Sequence, residues 1–224
     1  MISQLPRWVE YGAFLLALVA GTVNAVGLLG FEHQSVSHLS GTATLLGGRL
    51  LSSPWSDSVH LLGILVAFLI GATISGMLLR GKSLKLGKHY DSALVVEGVL
   101  LLVALAFLSQ NNTWGHFFAS AACGLQNAFA TTFSGAIVRT THVTGIFTDL
   151  GIMLGAWLRG EELDRRKAQL FMLIIGGFIA GGALGVFLFL HWQFLALLFP
   201  AGVCFILAFV YRWFLRQREV SAES

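Results

Sequence analysis

Apolar positions along the chain gather into six runs, roughly Trp8–Gly30, Ser58–Arg80, Ser92–Gln110, Trp114–Ser134, Ala168–Leu190 and Trp192–Leu215. Each is close to the about 20 helical residues that a bilayer core requires. Two further segments, Ser37–Leu51 and Thr141–Leu158, are shorter and more polar. The first runs into Gly47-Gly48-Arg49, and the second is interrupted by Thr144-Gly145 and carries Asp149. The pattern predicts an all-α integral membrane protein. Composition agrees, since 56% of the 224 residues are hydrophobic and 11% are charged. A soluble domain carries about 25% charged residues, so this chain has too few to cover a water-facing surface. The first run is shaped like a signal peptide, with Arg7 ahead of it and Val23-Asn24-Ala25 behind. We read it as a retained helix, because Asn24-Ala25 belongs to an internal repeat.

That repeat centres on His38-Leu39-Ser40-Gly41-Thr42-Ala43-Thr44-Leu45-Leu46-Gly47, which returns as His142-Val143-Thr144-Gly145-Ile146-Phe147-Thr148-Asp149-Leu150-Gly151. Five of the ten positions are identical at an offset of 104 residues, from His38 to His142, and Ser40/Thr144 is a like-for-like hydroxyl. Upstream, Asn24-Ala25 matches Asn127-Ala128 at an offset of 103. Solenoid periods run only to about 50 residues, so the spacing points to a duplicated half-molecule. The expectation is one membrane domain of two repeats, about 8–110 and 114–215, with a short polar tail at 216–224.

Charge decides how the eight segments thread the bilayer, because cytoplasmic loops are enriched in Lys and Arg. If all eight cross, the fourteen Lys and Arg residues split nine to five. If the two motif segments dip in and return on the same side, thirteen lie on one face and only Arg49 on the other. The sequence therefore predicts six transmembrane helices plus two short re-entrant or broken helical segments, with both termini cytoplasmic. Three crossings per half invert the second half relative to the first, giving an inverted-topology 3+3 repeat. Secondary transporters use this plan, with sites near the midplane at broken helices.

Small residues recur at four-residue spacing in Gly63/Gly71/Ser75 and in Gly177/Gly181/Gly185. Such spacing lets helix backbones approach closely, either inside one chain or across a homodimer through the Gly177/Gly181/Gly185 face. Cys123 and Cys204 lie within apolar runs and suit small packing residues better than a disulfide framework. No basic patch with interleaved aromatics suggests nucleic acid. The expected partners are the lipid bilayer and a small solute.

Gly124-Leu125-Gln126-Asn127-Ala128, followed by Arg139-Thr140-Thr141-His142-Val143-Thr144-Gly145, resembles the second-half signature of the YoaK-like family of small bacterial multi-pass membrane proteins. The first-half signature of that family reads Gly-x-x-Asp-Ala and then Thr-Gly-Asn. Here the matching positions are Gly21-Thr22-Val23-Asn24-Ala25 and Ser40-Gly41-Thr42. The resemblance covers nearly the whole chain and implies a bacterial inner-membrane protein of this fold. It brings no substrate, the family being catalogued as a domain of unknown function. Asn24 stands where the family has an acid, which removes a titratable group.

The candidate chemistry follows the repeat. A Ser/Thr-Gly pair opening a short helix can cap orphan N–H groups, or leave backbone exposed at a positive helix terminus that suits an anion. Ser40, Gly41 and Thr44, with Thr144, Gly145 and Thr148, are thus candidate substrate contacts, expected to face one another near the midplane. Asn24, Gln126 and Asn127 lie in apolar helices where an unpaired amide is costly. They either hold the motif segments or touch solute. His38 and His142 precede the two motifs and suit a proton relay or gate, as do Arg139, Asp149 and Glu97, since charges within a membrane default to function. For Glu97 the alternative is snorkelling to the nearby helix end. No metal motif, cofactor fingerprint or nucleophile–base constellation is present, so neither metal, cofactor nor enzymatic activity is expected. The sequence favours a secondary transporter or channel for a small polar or anionic solute. The alternative is a non-transporting scaffold or partner subunit.

Overall fold

The computed structural model describes residues 8–30, 37–52, 54–79, 89–134 and 140–223. Among them the chain forms α1 (Trp8–Gly30), α2 (Leu39–Ser52), α3 (Trp55–Leu78), α4 (Tyr90–Leu108), α5 (Trp114–Ser134), α6 (Val143–Leu158), α7 (Arg165–Trp192) and α8 (Leu198–Glu223), and no strand. Four helical stretches are long and apolar enough to cross a membrane: Val9–Gly30, Trp55–Leu78, Tyr90–Leu108 and the 53 residues Arg165–Gln217 that contain α7 and α8. The chain is an all-helical membrane protein.

Local chemistry sets the helix ends. The N-terminus of α3 follows Pro54, whose φ of −56° is already helical. At α7 the Asp164 carboxylate caps the helix by accepting from the Lys167 backbone N–H at 3.0 Å. The run expected to begin a helix at Trp192 instead ends one. Gln193 adopts a left-handed φ of 51°, a 3-10 turn covers Gln193–Leu197, and α8 starts at Leu198. The second motif is also not interrupted at Thr144-Gly145. Both residues sit in the first turn of a continuous α6.

At 1.5 Å per residue the 14-residue α2 and 16-residue α6 reach only about 21 and 24 Å, short of a ~30 Å core. Both begin alongside the interior of the preceding helix. Ser37, just ahead of α2, donates from its hydroxyl to the Asn24 side-chain oxygen at 2.7 Å. Asn24 lies six residues before the end of α1, about 9 Å inside it. The second half repeats the arrangement, with the Asn127 amide donating to the Thr141 hydroxyl just ahead of α6. Each motif helix thus starts level with a buried amide of the preceding helix and runs back towards that helix's end.

Four helices form two close seams, α1 along α7 and α3 along α5. Gly177, Gly181 and Gly185 face the backbone carbonyls of Phe14, Leu18 and Thr22 in turn, so α1 and α7 run parallel. In α3 and α5, His60 meets His116, Ile64 meets Ser120 and Phe68 meets Gly124, so they too run parallel. The seams are built alike. A Cβ on Gly181 would strike the Leu18 carbonyl and one on Gly21 that of Phe178, while Gly71 and Gly124 stand in the same relation to Ala121 and Phe68. The paired positions Gly21/Gly124 and Leu18/Ala121 are 103 residues apart, and Gly71/Gly181 and Phe68/Phe178 are 110 apart. A hydroxyl crosses each seam as well, Thr22 donating to Gly181 O at 3.1 Å and Ser120 to Ile64 O at 2.9 Å.

These contacts correct one expectation. The Gly177/Gly181/Gly185 face is buried against α1 in the same chain, so it is not available to a second copy.

Between the seams lie α4 and α8, which run antiparallel. Asp91 is nearest Arg212, Glu97 nearest Cys204, and Gly98 packs on the Phe205 ring. Helices α1 and α5 are antiparallel too: the Gln126 amide donates to Leu16 O, and Phe129 and Ala130 share a cavity wall with Val9, Gly12 and Ala13.

Candidate functional site

The structure separates the two motif helices. Among the described residues α2 packs on α3 and α6 on α7, with no contact between α2 and α6. Ser40-Gly41 and Thr144-Gly145 are therefore not brought together. Ser40, Gly41, Thr44, Thr144 and Thr148 are exposed. Two of their hydroxyls serve their own helices, Thr44 donating to Ser40 O at 2.9 Å and Thr148 to Thr144 O at 3.0 Å. The exposed His142 ring lies over Gly145 and would have to swing aside for a Cβ there. Its counterpart His38 packs differently, half-buried with its ring 5.7 Å from that of Phe178.

The amides are brought to a shared purpose. Besides its bond to the Thr141 hydroxyl, Asn127 accepts at its oxygen from Thr141 N–H and from the Thr140 hydroxyl, both at 3.4 Å. Asn24 does the equivalent for Ser37. Both amides are hydrogen-bonded to residues just ahead of a motif helix, and Gln126 ties α5 to α1. Arg139 lies outside the described residues, so its pairing with Asp149 does too. Asp149 itself is exposed on α6.

Glu97 does not snorkel. It is 1% exposed, on the face of α4 that packs against α5 and α8. Its carboxyl lies beside the Cys204 thiol of α8 and near Cys123 of α5. Its Oε2 has no hydrogen-bond partner. Two turns nearer the helix start, Asp91 keeps Oδ2 3.8 Å from Arg212 and leaves Oδ1 unpartnered.

Adjoining Leu94, on the turn between these two carboxyls, is a cavity of about 400 Å³. It lies among the starts of α1 and α4, the end of α5 and the latter half of α8. Gly12, Leu16, Leu94 and Phe129 form apolar walls, and Tyr90 and Tyr211, ring centroids 6.1 Å apart, add two phenols. That volume is within the range of small-molecule sites, about 300–1,000 Å³. None of Asn24, Ser40, Gly41, Thr44, Gln126, Asn127, Thr144, Gly145 and Thr148 lines it. Neither the cavity nor the surroundings of Glu97 were readable from spacing, because both depend on where α8 comes to rest.

The cavity occupies the α1–α8 seam, and the corresponding α4–α5 seam is closed. There Gly115 packs on the Leu108 side chain and the Ala104 carbonyl, and Phe107 stacks on Phe118 at 5.4 Å and 7°. Helices α4 and α5 are also in far more extensive contact than α1 and α8.

A family model described as a protein of unknown function, DUF1275, matches residues 12–210. The chain belongs to the DUF1275 family. The match takes in both motif copies and agrees with the YoaK-like resemblance in the residues. No curated protein and no solved structure matches this DUF1275 chain.

Proposed function

We propose that this DUF1275 protein is a secondary transporter of the bacterial inner membrane rather than an enzyme. It crosses six times, with α2 and α6 re-entrant and both termini cytoplasmic, and its halves form an inverted repeat. Helix direction supports this threading. If all eight helices crossed, α4 and α8 would be parallel, as would α1 and α5. Both pairs are antiparallel, as they must be when one segment between them turns back. Thirteen of fourteen Lys and Arg residues then lie on the cytoplasmic side.

The observation that carries the transport reading is the difference between two related seams. One is open around a 400 Å³ cavity and the other is filled by Phe107, Phe118 and Leu108. In an inverted repeat, exchanging the conformations of the halves closes the first seam and opens the second, which is alternating access. The cavity wall favours a small amphipathic solute. The polar or anionic solute suggested by the motif termini draws support only from Ser40-Gly41 and Thr144-Gly145, which lie elsewhere.

The test is uptake into proteoliposomes of a labelled panel comprising glucose, alanine, phosphate, octanoate and tetraphenylphosphonium. Saturable uptake of at least one solute above empty vesicles is expected. Gly12→Trp should abolish it in folded protein, since a side chain at Gly12 meets open space on the cavity wall. Uptake no greater than in empty vesicles across the panel refutes the reading and leaves the scaffold alternative.

A further inference from the structure

We propose that Glu97 is a proton-binding site and that its proton couples to movement of the α1–α8 seam. The coupling clause rests on the transport reading, while the proton site stands on geometry alone. The carboxyl is sealed at 1% exposure on α4, seven residues or about 10 Å from the helix start. The Cys204 thiol lies beside the carboxyl, and Oε2 has no hydrogen-bond partner. Among the described residues no Lys, Arg or His forms an ion pair with it, and no cluster there could hold a metal ion.

An ionised carboxylate in such a place would need a cation or several donors, because isolated charge in a low-dielectric interior is very costly. A proton removes that charge instead: one oxygen keeps its acceptor role and the other carries the O–H. The remaining titratable groups on the packed helices are accounted for. Cys123 faces the carboxyl from α5 and Cys204 from α8. His116, two turns from Cys123, is bonded to His60 of α3 at 2.8 Å. Asp91 and Arg212 are close to one another two turns towards the helix start, beside Tyr90 and Tyr211.

Position links the proton to the solute. Leu94 lines the cavity and lies one turn from Glu97 on the same helix, and Cys204 is one turn from Leu207, another cavity residue. Closing the α1–α8 seam must shift α8 against α4, which changes the Glu97–Cys204 contact. Glu97 therefore holds its proton in one arrangement and exchanges it in the other.

Infrared spectroscopy of the full chain in lipid nanodiscs tests the proton site without any solute. A carboxylic-acid carbonyl stretch is expected near neutral pH, lost on alkalinisation and absent in Glu97→Gln. Cys204→Ala should shift the band without removing it, which keeps the test decisive if the first variant folds poorly. The site is overturned if Glu97→Gln retains the full acid band, or if Cys204→Ala leaves the band unmoved. Coupling is read in the proteoliposomes with trapped pyranine. Solute uptake should move protons in the wild type, and that movement should fall to the empty-vesicle level in Glu97→Gln. Equal proton movement in both overturns coupling. Absence of uptake in the wild type overturns the transport reading instead, and the infrared result still decides the proton site.

Discussion

Adjacent glycines in α7 offer a sharp test of the seam geometry. A Cβ on Gly181 would lie 2.8 Å from both Leu18 C and Cα, and closer still to its carbonyl oxygen. A Cβ on Gly182 meets nothing within 4 Å. Ordinary carbon contact begins near 3.4 Å, so Gly181→Ala must push α1 and α7 apart by at least about 0.6 Å. The obstacle is backbone, which cannot rotate aside as a side chain would. Overpacking typically costs about 1–3 kcal/mol, and the rigid neighbour places this substitution near the upper figure. With about 2–4 °C per kcal/mol for a chain of this size, Gly181→Ala should lower the melting temperature by about 6–12 °C. Gly182→Ala has no such clash and gains helix propensity of up to about 1 kcal/mol, so it should be neutral or stabilising. The assay is loss of monodisperse protein in detergent on heating, followed by fluorescence-detected size exclusion. Equal effects at the two positions would refute the seam as described.

Two other outcomes follow from the amides and from the threading. Asn24→Ala and Asn127→Ala each remove the partner of a buried hydroxyl ahead of a motif helix and should cost about 1–3 kcal/mol each in the same melt; no change in either denies the amides their holding role. Reporter fusions after Ser53 and after Asn112 should read periplasm, and one after Gly160 cytoplasm; a cytoplasmic Ser53 fusion would mean that α2 crosses.

How much of this was legible in the sequence depended on whether a feature was local. Helices α1 and α5 lie where the hydrophobic runs place them, because apolar length alone marks them. The glycine spacing in α7 predicted a close approach without saying to what. Its partner α1 is more than 150 residues away, so spacing alone left a second copy of the chain as an alternative. Likewise, Ser40 and Thr144 match in sequence, but a match in sequence does not fix the distance between them. Glu97 showed the same gap. Seven residues from a helix start is within reach of a snorkelling side chain, and only the packing of α5 and α8 over that face seals it in. The break at Gln193 was missed because nothing in the apolar run at Trp192 marks a left-handed residue.

The seams also constrain how the protein can move. Carbonyl-to-glycine contacts and the Thr22 and Ser120 hydroxyl bonds lock α1 to α7 and α3 to α5. Neither pair separates without exposing backbone in lipid, where unsatisfied groups are costly. Any large rearrangement therefore moves one locked pair against the other. The interfaces free to change are then α1–α8, α4–α5 and the α4–α8 contact between them, together with α1–α5, which the Gln126 amide bridges. The first holds the cavity, the second is closed over Phe107 and Phe118, and the third carries Glu97 and Cys204. On the proposed transport reading, a carboxyl at the contact that borders both seams is positioned to sense either of them opening. On that reading the small-residue pattern of α3 and α7 acts at a distance: by making two helix pairs rigid, it leaves the motion to the helices that surround Glu97.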